Sequence, residues 1–349
     1  MEMVHLVQIS DGSARRVALV EEPRLRCLEG VGSVYELARG CLRDGAPQAV
    51  PLSERARAMA NGESLDYDEI YAGRSRWRLL PPIDVPDNPW RTLVSGTGLT
   101  HLGSAKERQE MHLADLDPAA KAKAAEAMTD SMRMFQWGIE DGRPGEGRVG
   151  IAPEWFYKGN GSIIEAPFAP LTMPRHAEDA GEEAEVAGVY LIGEDGTPVR
   201  IGLAGGNEFA DHKFERRNYL NLAGSKLRVC SLGPELVVGA EFGAIQGQVR
   251  IERGTATLWQ KAIETGEENM AHSLANLEHH HFKFDGHRHP GDLHVHFFGA
   301  HSLSFGEGIE LRDGDWMEVR YDGLGRALRN PLRVASKETM TPVRVRAMA

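Results

Sequence analysis

Gly181-Glu182-Glu183-Ala184-Glu185-Val186-Ala187-Gly188-Val189-Tyr190-Leu191-Ile192 sets an acidic cluster directly against an apolar run. Five carboxylates (Glu178, Asp179, Glu182, Glu183, Glu185) fall in eight positions with no cation among them. The apolar run reads as a strand. If the strand begins by Glu183, its two-residue period puts Glu183 and Glu185 on one face. Two carboxylates held that close repel unless a cation sits between them, and oxygen donors on a rigid strand suit Mg²⁺, Mn²⁺ or Ca²⁺. The alternative for a bare charge run is a solvated acidic turn.

Working outward, Glu194-Asp195-Gly196-Thr197 separates 186–192 from a second β-like run at 198–203, which predicts a hairpin. The segment leaving that hairpin carries Asn207-Glu208, a carboxylate at a strand end. Within 212–228 there are five Lys/Arg residues (Lys213, Arg216, Arg217, Lys226, Arg228) against one acid, Glu215. A metal with cations beside it suits a carboxylate-bearing substrate such as a 2-oxo acid. Ordinary surface charge on a helix is the competing reading.

The rest of the chain bounds the problem. With 349 residues, 41% hydrophobic and 26% charged, it reads as an ordinary globular protein, one large domain with a smaller one attached. The net charge of −11, from 40 Lys+Arg against 51 Asp+Glu, argues against a broad nucleic-acid surface. No apolar run approaches the roughly 18 residues of a membrane span, and the N-terminus lacks the order of a signal peptide. Three widely spaced cysteines, Cys27, Cys41 and Cys230, fit reduced thiols, so a cytoplasmic setting is expected.

The organisation expected is α+β and β-rich, with a small N-terminal α+β domain at 1–88 and a larger one at 89–349. A hairpin turns at Asp11-Gly12, 33–42 is helical, and the proline-rich stretch 80–89 is a linker. Residues 104–141 read as mostly helical, with Asp117-Pro118 as a helix start and Asp141-Gly142 as its end. From 150 onward short β runs dominate, including Trp316–Tyr321. A helical interruption is expected at 257–280, bent or broken at Gly266.

Several of these pieces together resemble the fumarylacetoacetate hydrolase superfamily. The residues concerned are Glu183-Ala184-Glu185, Asn207-Glu208, Gly224-Ser225-Lys226 with Gly233-Pro234, and Leu324-Gly325 with Asn330. In that superfamily E-x-E opens a strand, N-D closes a later one, and a lysine follows before a G-P pair. Here Lys226 lies eighteen residues after Glu208. The resemblance runs from about residue 94 to 332 and is closest to the sugar-acid branch with the GguC-type proteins. It implies a rolled mixed β-sandwich with a small N-terminal domain, usually a homodimer. It also implies Glu183, Glu185 and Glu208 as ligands of Mg²⁺ (or Mn²⁺ or Ca²⁺), the family's usual Asp being Glu at 208. Lys226 would face the bound 2-oxo acid, and Phe156-Tyr157-Lys158-Gly159 resembles the pocket-lining F-x-K-[PG] segment.

The departures bear on the reaction. Members that cleave C–C bonds carry a His and a Glu three residues apart. Taking His101 as that histidine leaves Ser104 where the acid belongs. The segment 97–108 instead resembles the T-x-x-x-S-x-x-E-R run of members that dehydrate 2-keto-3-deoxy sugar acids. That alignment points Glu107 and Arg108 to the site and places Thr100 and His101 in the substrate pocket. Phe298-Gly299-Ala300-His301 replaces the hydrolases' T-G-T-P loop, making His301 an acid/base candidate. The implied activity is dehydration of a 2-keto-3-deoxy sugar acid such as a pentonate. Lys226, its pKa lowered by desolvation and the metal, would take the C3 proton. Glu107 or His301 would protonate the leaving hydroxyl, while Arg108 and Lys158 hold the substrate. Hydrolysis of a 2,4-dioxo acid and a turnover-dead 2-oxo-acid-binding protein are the alternatives.

One feature stands outside this scheme. His279, His280, His281, His287, His289, His294 and His296 fall in eighteen residues. His294-Val295-His296 reads as a strand start with both rings on one face. A structural or interface role is favoured over an active-site wall. A zinc site is the remaining option, with no Cys or H-E-x-x-H pattern beside it.

Overall fold

A computed structural model of the chain describes residues 3–43, 51–113, 129–336 and 341–348. The N-terminal strands β1 (Val4–Ser10), β2 (Arg15–Glu21) and β3 (Arg24–Cys27) are followed by helices α1 (Val34–Arg43) and α2 (Leu52–Met59). Strand β4 (Ser64–Asp66), helix α3 (Tyr67–Tyr71) and strand β5 (Arg78–Leu79) complete this part. The two-residue period of β1 sends Val4 and Leu6 against α1 and α2, and Val7 and Ile9 against α3. The turn at Asp11-Gly12 forms as expected: Gly12 takes φ 88°, and Asp11 Oδ1 accepts the N–H groups of Ser13 and Ala14.

The remaining strands are β6 (Thr92–Gly98), β7 (Glu154–Asn160), β8 (Ile164–Glu165), β9 (Leu171–Met173), β10 (Ala184–Ile192) and β11 (Pro198–Asn207), then β12 (Cys230–Leu232), β13 (Leu236–Val238), β14 (Ile245–Arg253), β15 (Ala256–Thr265), β16 (Leu293–Phe297), β17 (Trp316–Tyr321) and β18 (Leu328–Val334). Two sheets result. The larger runs β4-β3-β2-β1-β13-β11-β10-β16-β6-β7, with β5, β8 and β12 at its side, and β16 pairs with β6 in parallel. The smaller runs β15-β14-β17-β18-β9. Their inner faces share one core, in which Val186, Tyr190 and Leu203 of the large sheet meet Val249, Ile263, Val319 and Leu328 of the small one. This is the expected α+β architecture of packed mixed sheets. Every residue of β10 is buried, because α1 and α2 cover its other face through Val189 and Leu191.

The N-terminal strands continue the large sheet through β1–β13 pairing, with Val4 opposite Val238 and Leu6 opposite Leu236. Buried Glu235 ties the same junction, accepting from the Tyr67 hydroxyl at 3.0 Å and the Arg326 N–H at 3.1 Å and pairing with His5 Nδ1 at 2.7 Å. No helix among the described residues is long and apolar enough to cross a membrane.

Helices α4 (Leu102–Leu113) and α5 (Asp130–Asp141) occupy the expected helical region, α5 capped by Thr129 and ending before Gly142 as anticipated. The helix start at Asp117-Pro118 lies outside the described residues. Two short helices follow β11, α6 (His212–Arg217) and α7 (Leu222–Ser225), and α8 (Leu274–Phe282) precedes β16. The expected helix over 257–280 is corrected: its first half is β15, a single 3-10 turn follows at Glu267–Asn269, and the α-helix is confined to Leu274–Phe282. Trp259, Ile263 and Thr265 alternate inward along β15, so a two-residue period and pairing with β14 override helix propensity there. Gly266, at φ 96°, turns the chain between the two.

The histidine cluster cements α8 to β16. Trp155 Nε1 donates to His281 Nδ1 at 3.2 Å, so Nε2 carries the proton of that ring and donates to His294 Nδ1 at 2.9 Å. His281 stacks on His296 with centroids 4.3 Å apart, and His296 Nδ1 meets Ser95 Oγ at 2.8 Å. The structural reading therefore holds. No three histidines among the described residues converge as zinc ligands.

Burial, with the neighbouring histidines adding to it, pushes both His294 and His296 down to about 3. Both are neutral in the folded chain but protonate near 6.5 once unfolded. Stability is thus fully present above about pH 6.5 and falls as the pH drops toward 3, by about 1.4 kcal/mol per pH unit per histidine. Urea unfolding at pH 7 and pH 5 measures this. His296→Asn should remove one histidine's share of the slope, and an unchanged slope would contradict the assignment.

Candidate active site

The β10–β11 pairing builds the acidic centre. Ala184 lies opposite Asn207 and Glu185 opposite Gly206, and the Glu208 N–H donates to the Glu183 carbonyl at 2.9 Å. Asn207 Oδ1 accepts the Glu183 N–H at 3.1 Å, fixing the strand opening. Glu183, Glu185 and Glu208 thereby converge, with one oxygen from each lying within 4.8 Å of the others. All three are buried. Phe209 leaves the site at φ 55°, a strained conformation for a non-glycine residue that turns its carbonyl toward Lys158.

Lys226, just after α7, reaches into this cluster. Its Nζ donates to Glu183 Oε1 at 2.5 Å and Glu208 Oε2 at 2.8 Å, and Glu215 Oε1 lies 3.4 Å away. The Phe156 ring stacks beneath it, 4.9 Å from Nζ. Burial opposes the lysine's charge, but Glu183, then Glu208 and Glu215, outweigh it and hold its pKa well above the ordinary value. Without an ion in the site, three carboxylates surround the ammonium; the expected lowering belongs to the metal-bound site. Lys158 is also fully committed: its Nζ pairs with Glu208 Oε1 at 2.6 Å and donates to the carbonyls of Phe209 and Lys226.

Arg108 points inward from α4, but toward protein carboxylates. It donates to both Glu154 oxygens at 3.0 Å and to Glu215 Oε2 at 3.3 Å. Glu107 sits in the same helix, but its side chain lies outside the described residues. Three residues here escaped the sequence reading. Glu154 shares one face of β7 with Phe156 and Lys158, so two-residue alternation back from the F-x-K segment could have found it. It also packs so tightly on Gly98 that a Cβ there would lie 1.8 Å from Oε2. Glu215, read as the lone acid among surface cations, is buried and accepts from Ser225 Oγ at 2.5 Å. His212 Nε2 lies 3.0 Å from Glu183 Oε1; burial opposes its protonation, yet Glu183 raises it to about 9.

Thr100, His101 and His301 form a separate wall. Thr100 Oγ1 donates to the Phe298 carbonyl at 2.7 Å, and His101 lies between Thr100 Oγ1 and Thr265 Oγ1 at 2.9 and 3.1 Å. Burial, then His301, pushes His101 down to about 3, so it is a neutral ring with both nitrogens engaged. His301 is half-buried, its ring 6.0 Å from His101. The loop joins the acidic centre at two points: the Gly299 N–H donates to Glu185 Oε2 at 2.7 Å, and Ser304 donates to buried Glu182 through its N–H and hydroxyl at 2.7 and 2.6 Å.

The donor set fits a hard divalent cation. It consists of three buried carboxylates; among the described residues no thiolate or imidazole belongs to the convergent set, His212 pairing with Glu183 alone. Glu185 makes the stronger case, since no cationic side chain among the described residues pairs with it. Burial, then Glu183 and Glu208, pushes its pKa well above the ordinary carboxylate value. A positive ion is what this carboxylate lacks.

The chain has the fold of the fumarylacetoacetate hydrolase superfamily, as the motif series implied. Among solved structures it is similar to 2-keto-3-deoxyarabinonate dehydratase, with a TM-score of 0.67 and 16% identity over 95% of this chain and 99% of that one. The 2-keto-3-deoxy-D-arabinonate dehydratase complexed with magnesium and 2,5-dioxopentanoate matches at 0.66, with 15% identity over 95% of this chain and 99% of that one. Fumarylacetoacetate hydrolase from psychrophilic Exiguobacterium antarcticum matches at 0.57, again with 15% identity and with 95% of this chain and 99% of that one covered. No protein-family model matches the chain, nor does any curated protein sequence.

Titration with Mn²⁺ by calorimetry tests the donor set. Glu183→Gln, Glu185→Gln and Glu208→Gln should each weaken binding by at least the roughly 10–100-fold that loss of an outer-shell partner costs. Equal affinity in all three would mean that the ion binds elsewhere.

Proposed function

We propose that the chain is a divalent-metal-dependent dehydratase of a 2-keto-3-deoxy sugar acid, a pentonate being the reference substrate, and that it yields a 2-oxo acid semialdehyde. The observation carrying this reading is the convergence of Glu183, Glu185 and Glu208 on a buried point with Lys226 against them. The likeness in fold to dehydratases of that substrate class supports it. A cytoplasmic homodimer with domains at 1–88 and 89–349 belongs to the same reading.

An ion held by Glu183, Glu185 and Glu208 would supply Lewis-acid polarisation of the substrate's C1 carboxylate and C2 carbonyl, acidifying the C3 proton. The protein groups then divide the proton work. Lys226, the buried ammonium beside the triad and over Phe156, is assigned as the proton donor to the departing C4 hydroxyl. Glu154 is the acceptor for the C3 proton: it lies on the same face of β7 as Phe156, over which Lys226 sits, and Arg108 fixes its carboxylate from α4. The C3–H and C4–O bonds break, a C3–C4 double bond forms, and the hydroxyl leaves as water with the proton from Lys226. Shift of a C5 proton to C3 and of the C5 hydroxyl proton to C4 then turns the unsaturated alcohol into the semialdehyde. Thr100 and His101, each held by neighbouring hydrogen bonds, are assigned to the wall of the substrate pocket, and half-buried His301 to its distal end. Lys158 and Arg108 act on the substrate through the carboxylates they hold.

Ser104 weighs against C–C hydrolysis. Its hydroxyl donates to the His101 carbonyl at 3.2 Å, so the position of the hydrolytic acid serves the start of α4. Purified protein with Mg²⁺ and 2-keto-3-deoxypentonate should release the semialdehyde, and chelation should abolish it. Glu154→Gln should lower kcat by about 10²–10⁴-fold, the usual share of a general acid or base, with Mn²⁺ affinity nearly unchanged. Appearance of pyruvate would favour cleavage, and substrate binding without product the inactive binding protein.

A further inference from the structure

Lys226 holds two of the three carboxylates that the proposed metal needs. Its Nζ bridges Glu183 Oε1 at 2.5 Å and Glu208 Oε2 at 2.8 Å, and those carboxylates bound a space in which the ligand oxygens lie within 4.8 Å of each other. An ion taking oxygen ligands at about 2.0–2.6 Å would draw on the same two carboxylates that Nζ bridges. An ammonium and a divalent cation compete for them, and their mutual repulsion favours withdrawal of the lysine as the ion enters.

Its route is constrained. Lys226 is buried, and a buried ammonium moved away from its counter-charges is strongly unfavourable unless another anion receives it. Outside the triad, Glu215 is the one carboxylate among the described residues in ionic contact with Nζ, at 3.4 Å. It is already fixed from two sides: Ser225 Oγ donates to Oε1 at 2.5 Å, and Arg108 Nη2 donates to Oε2 at 3.3 Å while Nη1 grips Glu154. Glu215 is thus an oriented anion beside the lysine that does not belong to the metal's donor set.

We propose that Glu215 is a positioning residue that receives the Lys226 ammonium when a divalent cation displaces it from Glu183 and Glu208. In the metal-free protein the lysine plugs the acidic centre. In the metal-bound protein it swings to Glu215 and is held there, next to the Arg108–Glu154 pair and over Phe156. Metal binding is then an exchange of one cation for another, and its affinity depends on the anion that catches the lysine. This rests on the metal site assigned under the proposed function.

A double-mutant cycle on the full chain, read as the Mn²⁺ dissociation constant by calorimetry without substrate, tests it. Lys226→Met removes the competing cation and should tighten Mn²⁺ binding by about 10-fold or more, and Glu215→Gln should weaken it by a similar factor, as expected for residues coupled through one buried pair. In the Lys226→Met background the Glu215→Gln penalty should shrink to less than about 3-fold, since no lysine remains to be received. An equal penalty in both backgrounds would mean that Glu215 acts only as a distant negative charge, and would overturn the proposal. Failure of Lys226→Met to tighten binding would overturn it as well. Ser225→Ala, which loosens Glu215 without removing its charge, should weaken Mn²⁺ binding in the same direction, and circular dichroism confirms that each variant is folded. Absence of Mn²⁺ binding in both wild type and Lys226→Met would instead remove the metal site, and with it the proposed function.

Discussion

Mutual repulsion among Glu183, Glu185 and Glu208 is the constraint around which the site is built. Their nearest oxygens lie within 4.8 Å, and at an effective dielectric of about 20 two such charges repel by about 3.5 kcal/mol. Against a total stability of about 5–15 kcal/mol for a domain, three such pairs cannot stand uncompensated. Lys226 and Lys158 answer Glu208, Lys226 and His212 answer Glu183, and among the described residues Glu185 is met by the Gly299 N–H and by no cationic side chain. Arg108 then neutralises Glu154 and Glu215 at the next remove. The order of these contacts shows which carboxylate is short of positive charge, and it is Glu185, the second glutamate of the E-x-E segment.

The same repulsion explains why the acids sit at the mouth of a strand that is otherwise wholly apolar. β10 is buried on both faces, and the charges collect where it leaves the sheet and neighbouring elements can lay polar groups against it. Glu182 uses the opposite face of that opening to hold Ser304, so the loop carrying Gly299 and His301 is strapped to the segment that carries the ligands. Ligand geometry and loop geometry are one problem in this fold.

Much of this was legible in the residues. The E-x-E strand, its hairpin partner ending in Asn207-Glu208 and the lysine eighteen positions on are local patterns, and local patterns survive translation into structure. What failed depended on partners distant in sequence. The stretch 257–265 carries a mixed propensity that pairing with β14 decided. Arg108 and Lys158 looked like substrate ligands because their positive charge was visible and their carboxylate partners were not. Glu215 looked like a surface acid because nothing local reports that it is buried. The three carboxylates that raise the Lys226 pKa in the absence of an ion come from separate segments, which no local pattern around the lysine reports.

The two flanks of β10 solve the problem of buried polarity in opposite ways. On the β11 side the groups are charged and paired, so a small displacement of one cation changes the field on all the others. On the β16 side the groups are neutral imidazoles ordered by tautomer, Trp155 to His281 to His294, with no carboxylate in the chain of bonds. A ring whose two nitrogens are both committed has no spare site for proton exchange, and one pushed down to about 3 by burial stays neutral at physiological pH. The histidine-rich segment, the most conspicuous one in the sequence, is therefore cement. The ionised groups belong to the quieter flank, where Glu215 contacts both Lys226 and Arg108, and Arg108 in turn holds Glu154.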